Sequence, residues 1–195
     1  KFFKVNINNK KKLRSIIINN KIDSVIHLAA SLIIGEGEKY PKFYYKNNVL
    51  GTKSLISACI GTKVKNFIFS STAAVYKDGL YKVTEKSKVK PKSVYGKTKL
   101  KAEKLIIDHC KKNKINYGIL RYFNIVGSSP SGKLGLINQG DHLFKNFSIQ
   151  TYKKKPIFKI YGTNYKTKDG TCIRDFIHVS DIAEIHGRVL EKINK

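Results

Sequence analysis

Methionine is absent from all 195 residues, position 1 included. The chain starts instead on KFFKVNINN, which reads as the middle of a strand, so the expectation is a partial chain. No apolar run reaches bilayer-spanning length and no signal peptide is visible, which excludes a helical membrane anchor of the usual kind within the sequence. Cysteine is limited to Cys59, Cys110 and Cys172, an odd number without metal-ligand spacing. That excludes a disulfide framework, offers no metal site, and fits a reducing, cytoplasmic setting. Acidic residues are scarce, 13 Asp and Glu against 39 Lys and Arg, for a net charge of +26. Such a charge suits a nucleic-acid binder, or a Lys- and Asn-biased composition spread over solvated faces. Only four of the basic residues are Arg, the preferred reader of base edges and phosphates. The lysines are scattered, and no zinc, RNA-recognition or helix-turn-helix pattern occurs. The second reading is favoured, with neither nucleic acid nor membrane as a partner. A positive surface would still attract an anionic small substrate.

What is present is a regular alternation. KIDSVIHLAA (21–30) is a short apolar run and reads as a buried strand. Residues 41–62 carry Pro41 at the start, apolar residues at helical spacing and Gly61 near the end, the signals of a helix. VKNFIFSS (64–71) is a second strand, a loop with Gly79 and Pro91 follows, and SVYGKTKLKAEKL (93–105) opens a second helix. NYGILRYF (116–123) is a third strand. Strand, helix, strand, helix, strand with near-continuous apolar strands predicts an α/β fold with a parallel sheet and right-handed crossovers. Beyond Asn124 the texture changes: a Gly- and Ser-rich loop over 127–142, a helix to about Lys153, a strand over 156–162, a loop over 164–181 running into a short strand, and an amphipathic helix over 180–193 capped by Ser180 or Asp181. At this length the chain makes one domain, or one and a half.

In open α/β sheets, ligands bind beyond the carboxyl ends of the strands. Three polar clusters fall there: AAS after the first strand, SSTAAVY after the second and RYFN after the third. Taken singly, each is an ordinary strand-closing turn. Tyr95 and Lys99 are similarly ambiguous. Eleven Tyr in a chain this rich in Lys give about two Tyr-x-x-x-Lys matches by chance, and one occurs. The chemistry is nonetheless coherent. A free phenol has a pKa near ~10, and a base working near neutrality needs it lowered by about three units, roughly 4 kcal/mol. Residues four apart share a helix face, so Lys99 can direct its charge towards Tyr95.

The ordered set HLAA, NNVLGT, FIFSSTAAVY, VYGKTK and LRYFN resembles the extended short-chain dehydrogenase/reductase family over essentially the whole chain. The resemblance implies a Rossmann-like doubly wound parallel sheet with part of a smaller substrate-binding domain. Residues 1–124 would be a partial NAD-binding domain lacking its Gly-rich N-terminal unit. Residues 125–195 would be a partial substrate-binding region, with 176–195 returning to the first domain. Thr72, Tyr95 and Lys99 become the catalytic group. NAD would be held by Asn6, Ile7, Leu28, Ala29, Ala30, Ser31, Leu32, Asn47 and Phe123, together with the catalytic three.

The segments 121–135 and 161–181 are most similar to the branch of the family that inverts C4 of UDP-hexoses through a 4-keto intermediate. That likeness implies substrate contacts from Thr72, Tyr95, Asn124, His142, Leu143, Lys159, Ile160, Tyr161 and Arg174, and a homodimer. The chain departs from the pattern in several places. Asn6 replaces an Asp, Leu32 a Lys, and Lys145 a Pro. Nucleotide-sugar dehydratases, the nearest rivals, place Asp-Glu after the catalytic Thr, where this chain has Ala73 and Ala74, which move no proton. Another UDP-sugar, an N-acetylhexosamine or a hexuronate, remains an alternative substrate, and a basic nucleotide- or nucleic-acid-binding protein is the non-enzymatic one.

Overall fold

Every side chain from Asn66 to Ser70 is buried, and alternation along this strand organises the first part of the molecule. The computed structural model describes residues 1–79, 82–137 and 142–194. Positions 138–141 of the expected Gly- and Ser-rich loop lie outside the described residues. The chain divides into two compact units, one of residues 1–122 with 186–195 and one of residues 123–185.

In the first unit, helix α1 (Lys10–Asn19) starts where the Asn9 side chain accepts the Lys12 N–H at 3.1 Å, an ordinary N-cap. Strand β1 (Ser24–His27) follows, then a short helix α2 (Ile34–Lys39) and α3 (Pro41–Tyr44), which has Pro in its first turn. The chain then widens into a π-helical stretch, Tyr45–Leu50, before α4 (Gly51–Cys59). Helical periodicity locates this whole segment, and the one-residue widening within it is invisible to that pattern. Gly61, at φ 66°, turns the chain out of the helix. Strand β2 (Asn66–Ser70), a 3₁₀ turn (Ala73–Val75), helix α5 (Val94–Asn113) and strand β3 (Asn116–Leu120) complete the alternation.

The sheet is parallel in the order β1-β2-β3, with Ser24 opposite Asn66 and Asn66 opposite Asn116. Phe67 and Phe69 point to one face and pack with Ile56, Cys59, Ala102, Ile106 and Cys110 of α4 and α5. Asn66, Ile68 and Ser70 point to the other, as period-2 alternation demands. There the last turns of helix α7 (Val179–Ile193) cover the sheet. Asn66 donates to Asn194 at 2.9 Å, and Gly118 leaves the space that Val189 fills, since a Cβ at Gly118 would come within 2.6 Å of it. Helices on both faces make the sheet doubly wound.

In the second unit, β4 (Asn124–Val126) pairs in parallel with β5 (Phe176–His178). Helix α6 (Leu143–Thr151) holds its neighbours through aromatic rings: Phe144 meets Phe176 edge-on at 5.1 Å and Phe147 stacks on Phe158 at 4.6 Å.

Several expectations are corrected. KFFKVNINN is not a strand: residues 1–6 form no ladder, and Phe2 is 91% exposed. A strand exists only by its partner, and β1 pairs with β2 alone among the described residues. β1 itself is half-buried, with Ile26 exposed. The segment 156–162 is likewise not a strand. It has the β-branched and aromatic composition, but it gains its ordering from the Phe147–Phe158 stack and from Gln150, whose side chain accepts the Ile157 N–H at 3.3 Å. Conversely, Asn124–Val126 is a strand between the expected third strand and the expected loop, where no element was assigned. Helix α7 begins at Val179, so Ser180 and Asp181 lie inside it; His178 accepts the Ser180 N–H at 3.2 Å through Nδ1, and Asp181 sits in the first turn.

Candidate active site

Two chain segments meet beyond the carboxyl end of β2. The first is the turn Ser71–Thr72–Ala73–Ala74. It keeps step with the chain leaving β3 through Ser71 N–H to Leu120 O (2.8 Å) and Ala73 N–H to Tyr122 O (3.0 Å). The Thr72 hydroxyl accepts the Ala74 N–H at 3.1 Å and so caps the 3₁₀ turn. The second segment is the start of α5. Ser93 caps it by accepting the Gly96 N–H at 3.1 Å, and the Glu38 carboxylate accepts the Val94 N–H at 2.8 Å, where the helix dipole favours negative charge. Gly96 lets the two segments touch: a Cβ there would lie 2.5 Å from the Ala74 carbonyl oxygen and 2.9 Å from Pro91. Tyr95, the neighbour of Gly96, is thereby brought to the turn that carries Thr72. Burial pushes the Tyr95 phenol above its ordinary value, the nearby Thr72 hydroxyl acts downward, and Tyr122 adds to the rise.

Lys99 lies one turn along α5 and is 3% exposed. Its ammonium donates to the Ser70 carbonyl oxygen and lies 4.2 Å from the centroid of the Phe69 ring. Its charge is therefore tied to β2 rather than directed at Tyr95, as helical spacing alone suggested. The side chain is long enough for either target, and a buried ammonium goes where acceptors and a ring face compensate for lost water. Burial pulls Lys99 down to about 8, with Glu103 acting upward.

Beside Lys99 is a polar line in which sequence reasoning named Ser31 and Asn47 but missed the buried His27, Asn48 and Thr52. The Thr52 hydroxyl donates to Asn48 O (2.6 Å), so it accepts from His27 Nε2 (2.9 Å), which assigns the proton to that nitrogen of a neutral ring. Burial, then the charge of Lys99, pushes His27 down to about 3. The Asn48 amide donates to Ser31 O (3.0 Å) and Thr98 Oγ1 (3.1 Å) and accepts from Ser31 N–H (2.8 Å), while Asn47 donates to the Ser31 hydroxyl (2.8 Å). Both Asn residues sit in the π-helical stretch, and both reach Ser31. A second missed cluster centres on Glu103. Arg121 grips its carboxylate with two nitrogens, at 3.0 and 2.6 Å, and Ser71 donates to it from the turn. Its position four residues after Lys99 was the available signal.

The other expected residues are distributed as follows. Leu28, Ala29 and Leu32 are exposed beyond β1, with Ala30 and Ser31 half-buried between them. Asn6 and Lys46 line an open depression at the start of α1, and Ile7 packs on Gly51. Phe123 is exposed. In the second unit, Asn124 donates to the Asp175 carbonyl oxygen at 2.9 Å, next to Arg174, whose guanidinium donates to Ile173 O at 3.5 Å. No Arg174–Asp175 ion pair forms among the described residues. Leu143 begins α6, His142 precedes it, and Lys159, Ile160 and Tyr161 follow the Phe158 stack; all five are exposed. Lys97, Lys101 and Lys104 are exposed on α5, and the three cysteines are free thiols, Cys59 and Cys110 buried. Among the described residues, no helix is long and apolar enough to cross a membrane and no group of metal-ligating side chains forms.

Residues 1–195 match the family described as the NAD dependent epimerase/dehydratase family. A UDP-glucose 4-epimerase of Halalkalibacterium halodurans is 36% identical over 196 residues, covering 100% of this chain and 59% of that protein. The crystal structure of UDP-glucose 4-epimerase from Brucella ovis in complex with NAD superimposes with a TM-score of 0.93 at 36% identity, over 100% of this chain and 60% of that one. The UDP-Glc/GlcNAc 4-epimerase from Campylobacter jejuni does so with a TM-score of 0.76 at 38% identity, over 95% and 57%. The chain thus spans somewhat over half the length of the relatives it matches.

Proposed function

This chain belongs to the NAD dependent epimerase/dehydratase family, and from that premise we propose that the whole protein inverts C4 of a UDP-hexose, UDP-glucose or UDP-galactose, with NAD as its resident cofactor. The observation that carries this reading is the meeting of the Thr72 turn with the start of α5 at Gly96, beside Tyr95, with Lys99 buried one turn on and only Ala73 and Ala74 after Thr72. Tyr95 would be the proton acceptor, and Ala73 and Ala74 offer no acid or base for dehydration at the two positions after Thr72.

The residues fit a dinucleotide. The loop after β1 is pinned through both backbone groups and the hydroxyl of Ser31, yet keeps Ala29 and its neighbours open at a strand end. NAD held there would supply a reversible hydride acceptor for sugar C4, allowing inversion through a 4-keto sugar. Tyr95 takes the proton of the 4-hydroxyl and gives it back. Thr72 orients the sugar oxygen and favours the phenolate. Lys99 adds a fixed positive charge beneath the strand ends. Asn124 and Arg174 bind the diphosphate, which suits a guanidinium, and His142, Leu143, Lys159, Ile160 and Tyr161 take the uridine side. A homodimer and a cytoplasmic setting belong to the same reading, the latter in keeping with the free thiols.

The test is to incubate the whole protein, without added NAD, with UDP-glucose, UDP-galactose, their N-acetyl forms and a UDP-hexuronate. C4 inversion of the plain hexoses is expected. Inversion of only the N-acetyl forms moves the assignment to the second reading, which the likeness to the Campylobacter enzyme favours. Binding to random DNA without turnover overturns both.

A further inference from the structure

Both ends of the turn that carries Thr72 are held by one ion pair, a buried Glu103 with a half-buried Arg121. At its start, the Ser71 hydroxyl donates to Glu103 Oε1. At its end, the Tyr76 ring lies 5.0 Å from the Arg121 guanidinium. Between these ends, Arg121 spans both Glu103 oxygens, 3.0 Å to Oε1 and 2.6 Å to Oε2. Glu103 comes from α5 two turns after Tyr95, and Arg121 from the chain just past β3. The pair therefore ties the Thr72 turn to the helix that bears Tyr95. Glu103 is 1% exposed, and an ionised carboxylate at that depth is costly unless every oxygen is occupied. Here Oε1 accepts from Ser71 and Arg121 and Oε2 from Arg121. A core that needed only packing would be better served by apolar side chains.

We propose that Glu103 and Arg121, acting through Ser71 and Tyr76, are positioning residues that hold the Thr72 turn against the start of α5, and so the Thr72 hydroxyl beside Tyr95. This rests on the proposed C4 epimerisation for its consequence in turnover, but not for the placement itself. A rigid helix and an ion pair hold the hydroxyl more tightly than a free 3₁₀ turn would, and small misplacements of a reacting group are costly in rate.

The decisive variant is Ser71→Ala in the whole protein, which removes one hydroxyl and leaves the ion pair intact. Three quantities are read: kcat, KM for the nucleotide sugar, and the ionisation of Tyr95, followed as tyrosinate absorbance in difference against Tyr95→Phe. The expected result is a fall in kcat of about tenfold or more with KM little changed. The nearby Thr72 hydroxyl favours the phenolate, so displacing it moves the Tyr95 ionisation, and with it the rising limb of the pH–rate profile, to higher pH. Ser71→Thr, which keeps the hydroxyl, restores both. Tyr76→Leu, which removes the ring from Arg121 at the other end of the turn, shifts in the same direction as Ser71→Ala. A Ser71→Ala protein with an unmoved Tyr95 ionisation overturns the proposal, whether or not its kcat falls, since a loss of stability alone would not shift that ionisation. If the wild-type protein shows no C4 inversion, the functional reading fails, and the Tyr95 titration still decides the placement.

Discussion

Tyr95, the proposed proton acceptor, shows how much of such a role is environment. Its half-buried setting works against ionisation, and the Thr72 hydroxyl works for it. Replacing Tyr95 with Phe keeps the ring and removes the proposed acceptor. We expect turnover to fall by more than about a thousandfold, at the upper part of the range for losing an acid–base group, while the nucleotide still binds; calorimetry with UDP beside the C4 assay checks both. His27 carries a different consequence. Its folded pKa is depressed from 6.5 to about 3, so the unfolded chain binds the proton that the native state refuses. Its contribution to stability is complete above ~6.5 and is lost as pH falls from there towards 3. Urea unfolding at pH 7 and pH 5 should therefore show a smaller midpoint at pH 5. The dependence should flatten in His27→Gln, which keeps a donor for Thr52 without a titrating ring.

At the scale of elements, Gly96 is the position where geometry and chemistry coincide. A Cβ there would meet backbone, the Ala74 carbonyl at 2.5 Å, which cannot rotate away. Gly96→Ala must push α5 from the 3₁₀ turn and separate Tyr95 from Thr72. We expect a loss of about a hundredfold in kcat from a displacement on the order of an ångström, with the circular dichroism of the helices preserved. A variant with wild-type kcat would mean that the two segments move together. The π-helical stretch Tyr45–Leu50 is the element that sequence patterns conceal. Apolar spacing located helix over 41–62, yet the widening that brings both Asn47 and Asn48 to Ser31 leaves no mark on that spacing. The 156–162 segment is the opposite case, with strand composition and no ladder, because β-propensity describes a fit to a sheet that must be there.

For the molecule as a whole, the net charge of +26 is dispersed over lysines that are mostly exposed, while Lys99 and Glu103 are buried, Glu103 paired with a half-buried Arg121. If the substrate is the proposed anionic nucleotide sugar, a field of that sign raises the encounter rate and is screened within about 8 Å at physiological salt. Raising the ionic strength should therefore lower kcat/KM and leave kcat nearly unchanged in steady-state assays. A kcat that falls in parallel would place the effect in the site rather than in the encounter.

The sequence by itself determined the parallel α/β order of the first unit, because strand and helix periods are local and Pro41 and Gly61 punctuate them. It also placed Thr72, Tyr95 and Lys99 in a family order that short motifs seldom reach by chance. Only the tertiary structure decided what those side chains touch. The reach of Lys99 to Ser70 and Phe69, the clasp of Arg121 on Glu103 and the line from His27 to Ser31 join residues distant in the chain. The physical reason is that each is a buried polar group, and its partner is chosen by whichever complementary atom folding leaves beside it out of reach of water.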